Sequence, residues 1–161
     1  MELNQLLSVA ESQVIDQAPI SIQAKFLTRI TIHAWRVLLE VGRSLGQPVE
    51  QLSPVQIVNW LVADVHLSRQ GQPSFLAWPQ DQYFPPTEPE QDLVGATDLS
   101  SDQKFVVRLV VSAWENLGDI ATTYDCAVAN LTCEQILTWV AAKQQPGQPE
   151  IFFRNHDRKT E

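Results

Sequence analysis

Two stretches of this 161-residue chain match each other without a gap when the sequence is moved along itself by 79 positions. The first is KFLTRITIHAWRVLLEVGRSLGQPVEQLSPVQIVNWLVA at residues 25–63, and the second is KFVVRLVVSAWENLGDIATTYDCAVANLTCEQILTWVAA at residues 104–142. Twelve of the 39 aligned positions are identical, and they include the tryptophan pairs Trp35/Trp114 and Trp60/Trp139. Because apolar periodicity alone does not place tryptophan opposite tryptophan twice in one register, we predict an internal duplication.

Each copy has the pattern of a helix, a short connection and a second helix. Along the first helix, apolar side chains recur at intervals of three, four or seven, which is typical of a helix with one face in a core. This face consists of Phe26, Ile30, Val37 and Val41 in the first copy, and of Phe105, Leu109, Ala113 and Ile120 in the second. A second apolar stripe consists of Ile32, Trp35 and Leu39 in the first copy, and Val107, Val111 and Trp114 line the other face of the helix in the second. We therefore expect the helix of the first copy to lie between neighbours, at the centre of the molecule.

Local signals predict where these helices begin and end. Residues 46–48, Gly-Gln-Pro, are expected to end the first helix. Ser53 then caps the next helix in a capping box with Gln56, and Thr132 does the same with Gln135 in the second copy. The two glutamines that the offset aligns are therefore expected to be structural.

Gly118 is expected to end or bend the long helix of the second copy, which would then resume over residues 122–129. Upstream of the first copy, apolar residues at helical spacing predict an amphipathic N-terminal helix at residues 2–17. Two short stretches in matching places of the copies, residues 75–78 and 151–153, are expected to be extended and to pair with each other.

The fold class that follows is mainly all-α: a helical bundle built from an internally duplicated αα-hairpin plus an N-terminal helix. Each hairpin has too much apolar surface to stand alone, so we expect one domain over residues 1–161. Its parts are the N-terminal helix (2–17), repeat one (20–71), a Pro-rich acidic connection (73–98), repeat two (99–147) and a tail (148–161).

Composition excludes several classes of protein. The chain is 44% hydrophobic, which argues against intrinsic disorder, and no apolar run reaches the length that spans a bilayer. Its 19 acidic and 11 basic residues give a formal net charge of −8, which argues against nucleic acid as a partner. The two cysteines have no disulfide or metal spacing, and the N-terminus lacks a signal-peptide pattern, so we expect a cytoplasmic protein.

No constellation of residues predicts catalysis. The histidines at 33, 66 and 156 are isolated, so we expect no metal, and no glycine-rich loop suggests a phosphate-bearing cofactor. Cys126 and Cys133 are interpreted as small buried hydrophobic side chains rather than nucleophiles. Glu115 and Asp119 lie one helical turn apart, as an acid pair would, but a solvated helix edge explains them as well.

Charge is distributed unevenly along the chain. Residues 1–19 carry −3, residues 20–71 carry +2 and residues 72–161 carry −7. In the first copy, Lys25, Arg29, Arg36 and Arg43 are spaced by four, seven and seven, so they form a basic stripe along one helix. This basic stripe is either the solvated edge of a buried helix, neutralised by acids of the other copy, or a docking strip for an acidic partner.

The leading hypothesis is a non-catalytic helical protein–protein interaction module, acting as an adaptor, regulator or assembly factor. Its candidate partner-binding residues are the basic stripe together with Trp78, Tyr83 and Phe84 of the Pro-rich connection. The alternative is a carrier or sensor that binds a small apolar ligand or pigment between the two repeats, in a groove lined by the paired tryptophans. An enzyme would need a pocket that gathers His33, Glu115, Asp119 or a cysteine. We expect no membrane partner, and association between copies of the chain stays open.

Overall fold

The computed structural model of the protein describes residues 7–79 and 92–143. Within these residues the chain forms five α-helices and two 3-10 turns and contains no β-strand, which confirms the all-α class. The helices are α1 (Val9–Gln17), α2 (Ile22–Leu45), α3 (Pro54–Arg69), α4 (Ser101–Thr123) and α5 (Cys133–Lys143), and the 3-10 turns are Val49–Gln51 and Val128–Asn130. None of the helices in these two ranges has the length and hydropathy needed to cross a lipid bilayer.

Several predicted boundaries need correction. The N-terminal helix begins at Val9 instead of near residue 2, because the Ser8 hydroxyl caps it and Glu11 completes the capping box. Residues 75–78 are irregular and form no strand, whereas the proposed partner stretch 151–153 lies outside the described residues.

Gly118 does not interrupt the long helix of the second copy. Helix α4 continues through it to Thr123, and the chain then leaves the helix at Asp125, which has a positive φ of 53°. A single glycine lowers the stability of a helix interior by about 1 kcal/mol, and the buried residues on both sides of Gly118 hold the helix against that loss.

The other predicted helix ends are confirmed. Gly46 adopts a left-handed conformation with φ of 68° and ends α2. Ser53 and Gln56 form the capping box of α3. In the second copy the Thr132 backbone N–H donates to the Gln135 side-chain oxygen, and the Gln135 backbone N–H donates to the Thr132 hydroxyl. The shared glutamines are therefore structural, as predicted.

Helix α2 lies at the centre of the described structure. It contacts α1, α3, α4 and α5, and most of its side chains between Leu27 and Gly42 are buried. The packing also crosses between the two hairpins, because α5 packs on α2 and α3 packs on α4 more extensively than the helices within each hairpin pack on each other. Neither hairpin could keep its core without the other.

Two tryptophans join the hairpins reciprocally. Trp35 of α2 donates its indole N–H to the carbonyl of Val128 at 2.9 Å, and Trp114 of α4 donates to the carbonyl of Val49 at 3.0 Å. Both the donors and the acceptors are related by the 79-residue offset. Each indole thus satisfies a carbonyl in the 3-10 turn of the opposite hairpin.

The correspondence extends upstream of the matched stretches. Ser21 and Ser100 are 79 positions apart, and each caps the long helix of its own hairpin. Lys25 donates to the carbonyl of Asp16 at 2.6 Å, and Lys104 donates to the carbonyl of Gly95 at 3.0 Å, which again preserves the offset. Such matched contacts are what a duplicated hairpin would have, and the duplication itself stays a prediction.

Two residues assigned to the core face by periodicity are exposed. Phe26 retains 55% of its accessible surface and Phe105 retains 53%. The first two turns of α2 instead bury Ala24, Leu27 and Thr28, so the buried face near the helix start is rotated away from the apolar face that continues at Ile30. The apolar period predicts the buried face of α2 correctly from Ile30 onwards, but the core does not extend along that face to the start of the helix.

His33 lies in the core with 2% of its surface exposed, and among the described residues neither ring nitrogen has a hydrogen-bond partner. It lines a cavity of about 10 Å³ between α2 and α4, surrounded by Ile30, Val37, Leu76 and Val110. Burial in this apolar site, together with the nearby Arg36 charge, lowers the pKa of His33 from 6.5 to about 4.

The protonation of His33 predicts a pH dependence of stability. The unfolded chain binds this proton below pH 6.5 whereas the folded chain binds it only near pH 4, so stability falls as the pH decreases through that interval. Chemical unfolding of the wild type should therefore lose up to about 3 kcal/mol more between pH 7 and pH 4 than unfolding of His33→Leu. If the free energy of unfolding had the same pH dependence in both proteins, the lowered pKa of His33 would be contradicted.

The two glycines Gly46 and Gly118 provide a matched pair of variants. A Cβ added at either position meets no atom within 4 Å, but only Gly46 has a positive φ. We expect Gly118→Ala to raise the free energy of unfolding by about 0.5–1 kcal/mol, and Gly46→Ala to lower it by about 1 kcal/mol or more. Urea unfolding measures both, and a destabilised Gly118→Ala would show that α4 bends at this position.

Candidate interaction surfaces

The structure pairs every cation of the basic stripe with an acidic or carbonyl group. Arg29 forms an ion pair with Asp16, and Lys25 donates to the Asp16 carbonyl. Arg43, whose side chain is 72% exposed, bonds to Glu40 one turn earlier on α2. The neutralising acids thus come from α1 and from α2 itself, and not from the second copy as the solvated-edge interpretation expected.

Arg36 makes the most complete of these pairs. Its guanidinium donates to both carboxylate oxygens of Glu11, at 2.8 and 2.7 Å. The same guanidinium lies 5.4 Å from the ring centroid of Trp35, and the Cys133 thiol donates to Glu11 at 3.3 Å. A flat cation on an aromatic ring, together with a thiol donor, forms a carboxylate seat, which we define by Arg36, Trp35 and Cys133.

The ionisation of these groups reflects their contacts. The hydrogen bonds from Arg36 lower the pKa of Glu11 from 4.5 to about 2, and those to Glu11 raise the pKa of Arg36. Burial and the neighbouring Glu11 raise the pKa of Cys133 to about 11, so its thiol stays protonated and is a poor nucleophile. Since the folded-state pKa of Glu11 is depressed, the pair stabilises the protein above pH 4.5 and this contribution is lost as the pH falls towards 2.

Trp78, a predicted partner-binding residue, lies in the core with 5% of its surface exposed. Its indole N–H donates to the carboxylate of Asp64 at 2.8 Å. Asp64 also accepts from the backbone N–H groups of Phe75 and Leu76, at 2.8 and 3.1 Å, and thereby fixes the segment after α3. The predicted contact residues Tyr83 and Phe84 lie outside the described residues.

Sequence reasoning did not identify Asp64, although one signal was available. A single carboxylate stands between Ala63 and Val65 on an otherwise apolar turn of α3, and a charge in that position is buried only when donors surround it. What the sequence lacks is the identity of the donors, because two of the three are backbone N–H groups.

The carboxylates Glu115 and Asp119 line a cleft of about 460 Å³ together with Glu50 and Trp114. Glu50 also accepts a hydrogen bond from the backbone N–H of Val128 at 2.6 Å. His33 lines the separate cavity between α2 and α4, so the structure brings Glu115 and Asp119 together but keeps His33 apart from them. In residues 7–79 and 92–143, no three His, Cys, Asp or Glu side chains are grouped to hold a metal ion.

Exposed apolar side chains form a different feature of the surface. Ile22 and Phe26 lie one helical turn apart at the start of α2, with 85% and 55% of their surfaces exposed. Phe105 occupies the position of Phe26 in the second copy and is equally exposed. Large apolar side chains that stay in water after folding are typical of surfaces that bind another protein.

The chain was also compared with known proteins. The sequence model of a family described as NDH complex assembly factor CRR9 matches residues 7–84 and 87–157, which together make up most of the chain. The comparison with curated proteins finds no match, and neither does the comparison with solved structures.

The three hydrogen bonds to Asp64 predict the effect of removing its charge. Asn in this position cannot accept from all three donors, because its amide group is itself a donor, so Asp64→Asn should lower the free energy of unfolding by about 2–3 kcal/mol. Asp98→Asn is the control, since that carboxylate is 56% exposed and pairs with Arg69 at the surface, where the loss should be below about 1 kcal/mol. Equal losses in urea unfolding would show that Asp64 does not anchor the segment.

Proposed function

The chain belongs to the family of NDH complex assembly factors described as CRR9, and from this premise we propose that it acts without catalysis, by binding a protein component during assembly of the NDH complex. Membership of the family indicates the process, which is assembly of the NDH complex, and the exposed side chains of the chain suggest how it takes part. A cytoplasmic location is part of this proposal.

The observation that carries the proposal is the exposure of Phe26 and Phe105. Most of the other large apolar side chains that match between the copies, such as Leu38/Leu117 and Ile57/Ile136, are buried, so packing explains why both copies have large side chains there. Packing does not explain an aromatic ring that stays half in water in both copies. Aromatic side chains of this kind contribute most of the binding energy in many protein interfaces.

The surroundings of the two rings suit a polar rim. Phe26 is flanked along α2 by Lys25 and Arg29, and Phe105 is flanked along α4 by Arg108, each cation with an acidic or carbonyl partner. Lys104, the counterpart of Lys25, is buried and contributes no rim. An apolar anchor surrounded by paired charges is the usual arrangement of a specific interface. We therefore retain Lys25 and Arg29 of the basic stripe in the proposed surface, and leave the buried Trp78 out of it.

The alternative function, a carrier for a small apolar ligand or pigment, has less support. Between α2 and α4 the described residues leave about 10 Å³, which is room for about one water molecule. The cleft of about 460 Å³ beside Trp114 is lined by the carboxylates of Glu50, Glu115 and Asp119, which suit a polar ligand better than an apolar one. The indoles of Trp35 and Trp114, expected to line a groove, are engaged with the carbonyls of Val128 and Val49.

The test is capture of NDH complex proteins by the full-length chain. We expect a tagged wild-type chain to retain proteins of the NDH complex, and Phe26→Ser or Phe105→Ser to reduce their recovery about tenfold or more, as removal of a binding anchor does. Quantitative mass spectrometry of the captured proteins measures the change.

Val55→Ser is the matched control, because Val55 is also apolar, lies in the first turn of α3 and is 51% exposed. Its capture should equal that of the wild type, and all variants should unfold within about 1 kcal/mol of it since the changed side chains are exposed. Unchanged recovery with both phenylalanines replaced would contradict the proposed surface, and a wild-type chain that retains no NDH complex protein would contradict the proposed function.

A further inference from the structure

Helix α1 places a carboxylate on a receptor that the rest of the chain provides. Glu11 binds Arg36 with two hydrogen bonds and accepts a third from Cys133, which is the first residue of α5. The carboxylate therefore lies beside the N-terminal end of α5, where the helix dipole favours negative charge. This is the acidic partner expected for the basic stripe, supplied here by the chain itself.

Few contacts hold α1 in this position. Ile15 is the one buried side chain of its nine residues, and Val9 and Val14 are exposed. Its ion pairs are those of Glu11 with Arg36 and of Asp16 with Arg29, whose side chains are all partly exposed. Lys25 adds a hydrogen bond to the Asp16 carbonyl, and Cys133 adds one to Glu11. An exposed ion pair such as Asp16–Arg29 contributes on the order of 1 kcal/mol or less, whereas the bidentate pair of Glu11 and Arg36 contributes more and is the main attachment of α1. A helix of nine residues is marginal by itself.

We propose that an acidic amphipathic helix of an assembly partner displaces α1 and binds the carboxylate seat in its place. This inference rests on the proposed function and specifies the chemistry of the partner. The pattern required is that of α1: a glutamate for Arg36, an apolar residue four positions later in the place of Ile15, and an acidic residue next to it for Arg29.

The cations that hold the C-terminal end of α1 belong to the surface proposed above. Phe26 belongs to the same turns of α2 as Lys25 and Arg29, which bind the C-terminal end of α1. A partner that reaches these cations therefore also reaches the exposed ring, a contact that an intramolecular α1 of nine residues leaves unused. This additional apolar contact lets a partner compete with a helix that is tethered to the chain and so has a high effective concentration.

The experiment uses the full-length chain with a weakened α1 and a peptide as the probe. Glu11→Gln/Asp16→Asn removes both charges, while Gln at position 11 keeps the capping box with Ser8. The probe is a peptide with the sequence of residues 7–18, and the reporter is the indole N–H signal of Trp35 in NMR spectra of the isotope-labelled chain.

We expect the double variant to shift the Trp35 indole signal and the peptide to return it towards its wild-type position. The variant should bind the peptide at least tenfold more tightly than the wild type, whose own α1 competes with it. A peptide with Gln and Asn in place of the two acids should not bind, and adding Arg36→Gln to the variant should abolish binding. An unmoved Trp35 signal, or equal binding of the charged and uncharged peptides, would overturn the proposal.

Two further results separate the carboxylate seat from the proposed function. Glu40→Gln removes a carboxylate that pairs with Arg43 on α2, away from α1, and should bind the peptide no better than the wild type. Recovery of NDH complex proteins should rise about threefold or more with Glu11→Gln/Asp16→Asn, and a fall would overturn displacement by a partner. If the peptide binds but the wild type retains no NDH complex protein, the proposed function is wrong and the carboxylate seat is confirmed. If the wild type retains NDH complex proteins but the peptide does not bind, only the proposal about the carboxylate seat is wrong.

Discussion

The reciprocal hydrogen bonds of Trp35 and Trp114 are the interaction on which the rest of the described structure depends. Each indole satisfies a carbonyl in the 3-10 turn of the opposite hairpin, at Val128 and Val49. A buried indole N–H without an acceptor would cost about 1–3 kcal/mol, so Trp35, which lies in the core, keeps its hydrogen bond only when the other hairpin is in place. The crossed packing of α3 on α4 and of α5 on α2 follows from the same requirement, and it makes the two hairpins one cooperative core.

Features that depend on a few neighbouring residues could be predicted from the sequence. The capping boxes of Ser53 and Thr132 and the glycine end of α2 were identified because a cap needs only side chains three or four positions away. The exposure of Phe26 could not be predicted, since its helical face is apolar and only the position of other helices decides where that face leaves the core. The start of α1 lies between these cases: Ser8 and Glu11 have the spacing of a capping box, but apolar residues further upstream suggested a longer helix.

In the candidate site, too, local features could be predicted from the sequence and tertiary contacts could not. The basic stripe could be identified from the spacing of its cations, because residues four and seven apart share a helix face. Which acids neutralise it could not, since Glu11 and Asp16 reach Arg36 and Arg29 only after α1 has folded back on α2. Asp64 is the counterpart in the core: the sequence contains the carboxylate, but two of its three donors are backbone groups that any sequence would provide.

Glu11 has two tasks, and this couples the folding of α1 to its docking. One oxygen accepts both the backbone N–H of Ser8 and the guanidinium of Arg36, so the carboxylate caps the helix and holds it on α2 at once. When Arg36 is lost to a competitor, the cap alone does not maintain a nine-residue helix in water, and the released segment gains the conformational entropy of an unfolded chain. That gain offsets part of the free energy needed to displace α1. A short helix with a shared cap is therefore easier to exchange than a long one with its own core.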